Sequence, residues 1–409
     1  MRINIDLTEH EIEPTMHWLA GLIGGPLDRR VRGFEQHQRR NPLLASHLRE
    51  TFSLEATLVK ARRYKKTTGQ FPIGSEYDVA YGFAVGAHRI HKALPGGAQS
   101  RFSGCLRNAV NGLHGVRPLA FEIGMAVHLM RQDWDVNFLD YSGSERFDFL
   151  IRRDGMEIEV ELKSTSGDAG WKIHRQEMNR LADLIAEAAI KLADTQGCHL
   201  FRVTIPDRLP SIERELAKIA ALVDQAVTNR CCLTDGCCSI KYDCPNVSDW
   251  PDPRNGKEAH EFVEGLFGVS NRHILFCGRE RFSVVAVLVE SSAPDQALEA
   301  LADQVKQAAD QCSGKRPAVI ALQLCDPIDR AELEIMAKTP SGLHFIAGKV
   351  FEDSNRLHLD SIAFTVPQLP GQQDGRARQP SAPVATLFND NPLYSCAEAR
   401  SLFRPSSAS

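Results

Sequence analysis

Hydrophobic and polar residues alternate most regularly between residues 146 and 165. Two runs rich in β-branched and aromatic residues flank Asp154-Gly155, a dipeptide that favours a two-residue type I′ turn. A hairpin closed by this turn places Asp148 directly opposite Glu161. Side chains alternate between the two faces of a strand, so one face of this hairpin is apolar. That face carries Phe147, Phe149, Ile151, Ile158, Val160 and Leu162.

The other face of the hairpin is mostly charged. It carries Asp148, Leu150, Arg152, Glu157, Glu159, Glu161 and Lys163. Arg152 opposite Glu157 is an ordinary cross-strand ion pair, but two carboxylates opposite each other destabilise a ladder. A divalent cation between Asp148 and Glu161 would turn this repulsion into coordination. The alternative is a solvated face with ordinary charges, and Glu159 is either a further ligand or only a neighbour.

A buried helix carrying one carboxylate precedes the hairpin. Pro118 suits the first turn of a helix, and the residues from Leu119 to Arg131 are apolar nearly all round. Glu122 lies inside this stretch and needs either a partner or a site, because burying an unpaired carboxylate is costly. The structural alternative is a glutamate paired with Arg131 or with an arginine of the hairpin.

The elements around the hairpin follow a recognisable order. Asp135 to Tyr141 reads as a strand, a helix runs from about His174 to Lys191, and His199 to Ile205 reads as the next strand. The order from 118 to 206 is therefore helix, three strands, helix, strand.

This segment resembles a PD-(D/E)xK nuclease of the restriction-endonuclease-like superfamily, whose core is αβββαβ. Asp148 matches the first acid of the signature, and Glu161-Leu162-Lys163 matches E-x-K. Glu122 matches the glutamate of the first helix, and Gln176 resembles the polar residue that many members place early in the next helix. The chain departs from the pattern at Phe147, where the signature has proline.

The resemblance implies metal-dependent hydrolysis of phosphodiester bonds by an endonuclease or exonuclease. Asp148 and Glu161 would hold Mg²⁺ or Mn²⁺, and Lys163 would orient or help to deprotonate the attacking water. Glu122 would hold a second ion or the water of the first. The expected substrate is DNA, and the protein is expected to act with partner proteins in repair or defence. An RNA nuclease and a non-catalytic nucleic-acid-binding or scaffolding protein on the same fold are the alternatives.

Basic and polar residues supply candidate substrate contacts. Those beside the hairpin's end are Lys172, His174, Arg175 and Gln176. Basic clusters in the first 117 residues are candidates for a surface that follows the phosphate backbone: Arg29, Arg30, Arg32, Arg39 and Arg40, then Arg62, Arg63, Lys65 and Lys66 around Tyr64. Solvated helix faces are the alternative for each cluster.

The fold class expected for the whole chain is α/β, in five parts. Residues 1–117 form a mainly helical region, 118–206 the nuclease-like core, and 207–271 a helix with a cysteine-rich connector. Residues 272–366 form a second α/β region that either extends the nuclease sheet or stands alone. Its strands Ser283 to Val289 and Pro317 to Leu324 flank a helix from Ala297 to Ala309, as in a βαβ unit. Residues 367–409 are rich in Pro, Gln, Ser and Ala and are expected to be a disordered tail.

Composition narrows the class of protein. The 409 residues are 43% hydrophobic and 24% charged, and the net charge of −4 gives no global attraction to nucleic acid. The beginning of the chain has no apolar signal core, no apolar run could span a membrane, and the eleven cysteines are odd in number. We therefore expect a reduced, soluble, cytoplasmic protein.

The spacing CC-x₄-CC-x₅-C from Cys231 to Cys244 does not fit a zinc template, so a short hairpin is expected there rather than structural zinc.

Overall fold

The computed structural model describes residues 8–44, 48, 51–112, 114–165, 168–247, 256–268, 274–279, 283–324, 330–339, 342–367 and 385–403. The helices bounded within these ranges are α1 (Glu9–Arg40), α2 (Ser53–Thr68), α3 (Ser75–Ala93), α4 (Gly96–Asn111), α5 (Arg117–Arg131), α6 (Leu139–Ser142), α7 (Arg175–Ala193), α8 (Glu213–Asn229), α9 (Gly256–Phe267), α10 (Ala297–Ala309), α11 (Arg330–Lys338), α12 (Leu343–Phe351) and α13 (Ala397–Ser401). The strands are β1 (Asp135–Phe138), β2 (Phe149–Arg153), β3 (Met156–Thr165), β4 (Gly197–Ile205), β5 (Leu233–Asp235), β6 (Cys238–Asp243), β7 (Ile274–Arg279), β8 (Ser283–Ser291), β9 (Ala318–Leu324), β10 (Leu359–Thr365) and β11 (Ala385–Phe388). Within the described ranges, no helix combines the length and the apolar character needed to cross a membrane.

Internal contacts divide the chain into two compact units. Unit 1 comprises Met1–Arg32, Thr51–Ala169 and Ala297–Ser409, and unit 2 comprises Gly33–Glu50 and Gly170–Gln296. The sheet of unit 1 has the strand order β1-β2-β3-β9-β10-β11, and that of unit 2 has the order β5-β6-β4-β8-β7. Each sheet mixes parallel and antiparallel neighbours, so the protein is α/β.

The predicted hairpin is present with the predicted register. Strands β2 and β3 pair antiparallel, with Leu150 opposite Glu159 and Arg152 opposite Glu157. Asp154 and Gly155 have φ angles of 51° and 81°, and a type I′ turn requires positive φ at both central residues. Arg152 Nε donates to Glu157 Oε1 at 2.7 Å, which confirms the cross-strand ion pair.

Two helical layers cover the sheet of unit 1. Phe149, Ile151, Ile158, Val160 and Leu162 of the hairpin and the buried side of α5 belong to one hydrophobic cluster, which also contains Val319 and Ala321 of β9. The alternate residues Ile320 and Leu322 belong to a second cluster, with α10 and α12. Because successive side chains of a strand point to opposite faces, α5 and α10 lie on opposite sides of the sheet.

The second half of the predicted 118–206 core lies in the other unit. Helix α7 and strand β4 belong to unit 2, where α7 packs on β7 and β8, and β4 pairs with β6 and β8. In unit 1 the elements that follow β3 are α10 and β9. Strand β9 runs parallel to β3, with Ile320 beside Glu161. Residues 170–296 therefore interrupt unit 1 between β3 and α10.

The predicted βαβ unit is divided in the same way. Its two strands, β8 and β9, lie in different sheets, so the region 272–366 contributes to both units. The predicted strand from Asp135 to Tyr141 is also shorter than expected, because β1 ends at Phe138 and α6 follows. Local pattern located these elements, but it did not identify their partners.

The predicted disordered tail contains ordered structure. Strand β11 pairs antiparallel with β10, and Leu402 and Phe403 after α13 are buried in the cluster of α5. The low apolar content of the tail as a whole gave no indication of these few residues. Those of β11 pair with β10, and Leu402 and Phe403 pack in the hydrophobic cluster. Residues 368–384 and 404–409 lie outside the described part of the chain.

Two glycines of α3 test the packing of α3 against α5. A Cβ on Gly82 would meet nothing within 4 Å, whereas a Cβ on Gly86 would lie 2.7 Å from Cγ2 of Ile123. Gly82→Ala should raise the free energy of unfolding by about 0.5–1 kcal/mol, because glycine costs a helix entropy. Gly86→Ala should instead lower it by about 1–3 kcal/mol through overpacking. Urea unfolding measures both, and equal gains would contradict this packing.

Candidate active site

The structure places Asp148 and Glu161 opposite each other, as the hairpin register requires. The Asp148 N–H donates to Glu161 Oε2 at 3.2 Å, and the Leu162 N–H donates to Asp148 Oδ2 at 2.7 Å. Each carboxylate therefore accepts a backbone donor from the opposite side of the hairpin. The two side chains are fixed at the point where β2 begins and β3 continues beyond it.

Lys163 lies beside this pair. Its Nζ donates to Glu161 Oε1 at 2.5 Å and to Gln311 Oε1 at 3.2 Å. The side chain of Lys163 is 30% exposed, whereas that of Glu161 is 1% exposed. The amine is therefore the accessible end of the site, and the carboxylate of Glu161 lies beneath it.

Glu122 of α5 lies near enough to the same carboxylates for their charges to act on it. Burial raises its pKa to about 8, and the nearby negative charge of Asp148 acts in the same direction. Its carboxylate accepts a hydrogen bond from Tyr141 of α6. Tyr141 is itself fixed by edge-to-face contact with Phe102 and by stacking on Phe138. The donor that satisfies Glu122 is thus a tyrosine rather than one of the arginines considered from sequence.

Negative charge is concentrated around Asp148, Glu161 and Glu122. Burial raises the pKa of Glu161, and the charge of Asp148 raises it further. Burial also raises the pKa of Asp148, although the Leu162 N–H and Lys163 act against this. Asp140, which sequence reasoning missed, adds negative charge near both Glu122 and Asp148. A cluster of this kind is stabilised by a bound cation or by protons.

The donor chemistry of the cluster suits a hard divalent cation, because Mg²⁺ and Mn²⁺ prefer carboxylate oxygens. Among the described residues, however, no group of three or more His, Cys, Asp or Glu side chains is arranged to hold a metal ion. Three of the four oxygens of this pair accept from donors of the chain itself. Glu161 Oε1 accepts from Lys163, Glu161 Oε2 from the Asp148 N–H, and Asp148 Oδ2 from the Leu162 N–H. A cation bound by Asp148 and Glu161 would compete with these donors for the carboxylate oxygens.

Glu159, whose role the sequence left open, is bound by residues of the segment between α10 and β9. It is fully buried, and its carboxylate accepts from the Ser313 N–H at 2.7 Å, from the Ser313 hydroxyl and from Arg316 Nη1 at 3.0 Å. These donors occupy both oxygens. No local signal could have shown this, because Ser313 lies 154 residues further along the chain.

The predicted substrate contacts lie in unit 2, whereas the four predicted catalytic residues lie in unit 1. They are Lys172, His174, Arg175 and Gln176. Lys172 Nζ pairs with Asp207 at 2.9 Å, and its N–H donates to Asp295 at 2.7 Å. His174 precedes α7 and lies 3.9 Å from Glu177. These contacts all join residues of unit 2.

Three members of the basic clusters are engaged within unit 1. Arg30 donates to the carbonyl oxygens of residues 110 and 112, both at 2.5 Å. Arg62 pairs with Asp28 at 3.1 Å, and Lys65 pairs with Glu13 at 2.9 Å. These side chains bind groups of other segments of unit 1. This weakens the expectation that the basic clusters form one continuous phosphate-binding surface.

The cysteine-rich segment forms the expected short hairpin. Strands β5 and β6 pair antiparallel, and Cys231, Cys232, Cys237, Cys238 and Cys244 are all free thiols. The hairpin extends the sheet of unit 2 through β4.

Comparisons of the chain with protein-family models, with curated proteins and with solved structures gave no match.

Two glutamates on the same strand test the role assigned to Glu159. Glu159→Ala should lower the free energy of unfolding by roughly 1–3 kcal/mol, because it leaves buried donors of Ser313 unsatisfied. Glu157→Ala is the matched control, because Glu157 is also bound by Arg316 but is 34% exposed. Its cost should be about 0–1 kcal/mol. Urea unfolding that gave equal costs would contradict the structural role of Glu159.

Proposed function

We propose that this protein is a metal-dependent nuclease of the PD-(D/E)xK type, acting on phosphodiester bonds in DNA. The observation that carries the proposal is the meeting of Asp148, Glu161 and Lys163 in one hydrogen-bonded set, with Glu122 near it. These are the residue types that the signature requires. Their convergence depends on the predicted hairpin register.

The topology of unit 1 supports the same proposal. Helix α5 is followed by the antiparallel strands β1, β2 and β3, and then by α10 and β9, which is parallel to β3. This order resembles the αβββαβ core of the superfamily, with residues 170–296 inserted between the third strand and the second helix. The insertion explains why the helix next in sequence, α7, is not part of this arrangement.

Asp148 and Glu161 are the residues that would hold Mg²⁺ or Mn²⁺. When bound, such an ion lowers the pKa of water and offsets the charge that develops on the phosphate. Two carboxylates are a typical protein contribution to magnesium, with water and substrate phosphate completing the ligand set.

The remaining residues of the site orient the reactants. Lys163 presents its amine at the accessible edge, where it donates to the attacking water or to a phosphate oxygen. Glu122, beside Tyr141, would hold a second ion or a water bound to the first ion. Because Glu161 is buried, bulk water has little access to its carboxylate. Each group then acts at a fixed place relative to the scissile bond.

The first test is cleavage of single- and double-stranded DNA, with RNA substrates in parallel, in the presence and absence of Mg²⁺. Lys163→Ala should reduce the rate by about 100-fold or more, the scale of a lost proton-transfer or orienting group. Lys92→Ala, at an exposed lysine of α3, is the matched control and should retain full activity. Binding without cleavage would favour the scaffolding alternative. Equal cleavage by Lys163→Ala and wild type would point to a contaminating nuclease.

A second test measures metal binding without activity. Mn²⁺ at about 100 times its Kd should stabilise the wild type by about 2.7 kcal/mol, because it binds only the folded chain. Asp148→Asn should lose most of this gain in a thermal melt. Asp154→Asn, in the turn of the same hairpin, should keep it, since Asn-Gly suits a type I′ turn equally well. The same gain in both variants would exclude Asp148 as a ligand.

A further inference from the structure

The loop between α10 and β9, residues 310–316, covers the polar face of β3. Ser313 and Arg316 of this loop bind the buried Glu159, and Arg316 Nε also donates to Glu157 Oε2 at 2.6 Å. Gln311, two residues before Ser313, accepts a hydrogen bond from Lys163 Nζ through its Oε1. The loop thus contacts Glu157, Glu159 and Lys163, which share one face of β3, and Lys163 belongs to the candidate site.

Two residues later in unit 1 also contact this loop. The Tyr394 hydroxyl donates to the Gly314 carbonyl at 3.0 Å, and Arg356 pairs with Asp310 at 2.9 Å. The Gln311 N–H itself donates to the carbonyl of Ala308 at the end of α10. These contacts restrain the loop that carries Gln311.

Lys163 has three N–H donors, and Glu161 and Gln311 each accept one of them. If Glu161 turns toward a cation, the ion pair that holds the amine is weakened. Gln311 is then the acceptor that keeps the amine beside the site. A neutral amide suits this role because it holds the ammonium without adding charge to a cluster that already contains several carboxylates.

We propose that Gln311 is a positioning residue, which directs the amine of Lys163 at the attacking water and the phosphate. This inference rests on the proposed nuclease function. It assigns a role in the site to a loop that the sequence separates from the E-x-K strand by the whole of residues 170–296.

Three variants test it. Gln311→Met keeps the length of the side chain but removes the acceptor, and Gln311→Glu keeps an acceptor oxygen. Gln307→Met, at an exposed glutamine of α10, is the matched control. Gln311→Met should lower kcat about 10-fold with little change in KM, the scale set by one hydrogen bond to a charged group. Gln311→Glu should recover part of that loss, and Gln307→Met should match the wild type.

A second measurement does not depend on activity. The rate at which an N-hydroxysuccinimide ester labels Lys163, read by peptide mass spectrometry relative to Lys92, reports how firmly the amine is held. Gln311→Met should speed this labelling, whereas Gln311→Glu and Gln307→Met should not. If the wild type does not cleave nucleic acid, the proposed function fails and the labelling still decides whether Gln311 holds Lys163. Unchanged kcat and labelling in Gln311→Met, or equal losses in both Gln311 variants, overturn the proposal.

Discussion

The opposition of two carboxylates on a largely buried stretch of sheet is the constraint on which the site depends. Asp148 and Glu161 face each other because the Asp154-Gly155 turn sets the register. Like charges in these positions cost stability, and burial adds to the cost. Lys163 offsets one of the charges through its ion pair with Glu161. The remaining negative potential is the physical basis of the proposed cation site.

The rest of unit 1 supports this arrangement from both faces of the sheet. On one face, α5 carries Glu122 and packs its apolar side on the hairpin. On the other, Ser313 and Arg316 of the loop after α10 donate to Glu159, and the charge of Arg316 partly offsets that of the carboxylate. Two glutamates two residues apart on one strand, 159 and 161, therefore have different surroundings, because different partners bind them.

An inserted unit is compatible with this assembly on energetic grounds. Residues 170–296 separate β3 from α10, yet the entropy of closing a loop grows only with the logarithm of its length. Unit 2 has its own sheet and its own hydrophobic cluster, so it supplies the free energy of its own folding. The parallel pairing of β3 with β9 can therefore tolerate the long separation.

The sequence by itself determined what depends on neighbouring residues. Turn chemistry and alternation predicted the hairpin, its register and its apolar face, and a continuous apolar stretch predicted the buried helix of Glu122. Tertiary structure alone decided that β9 rather than β4 lies beside β3, that Tyr141 satisfies Glu122, and that Gln311 reaches Lys163. The physical reason is range. A turn or a helix is specified by residues a few positions apart, whereas several helices and strands of this chain have similar apolar faces, and only the packing of the whole unit selects among them.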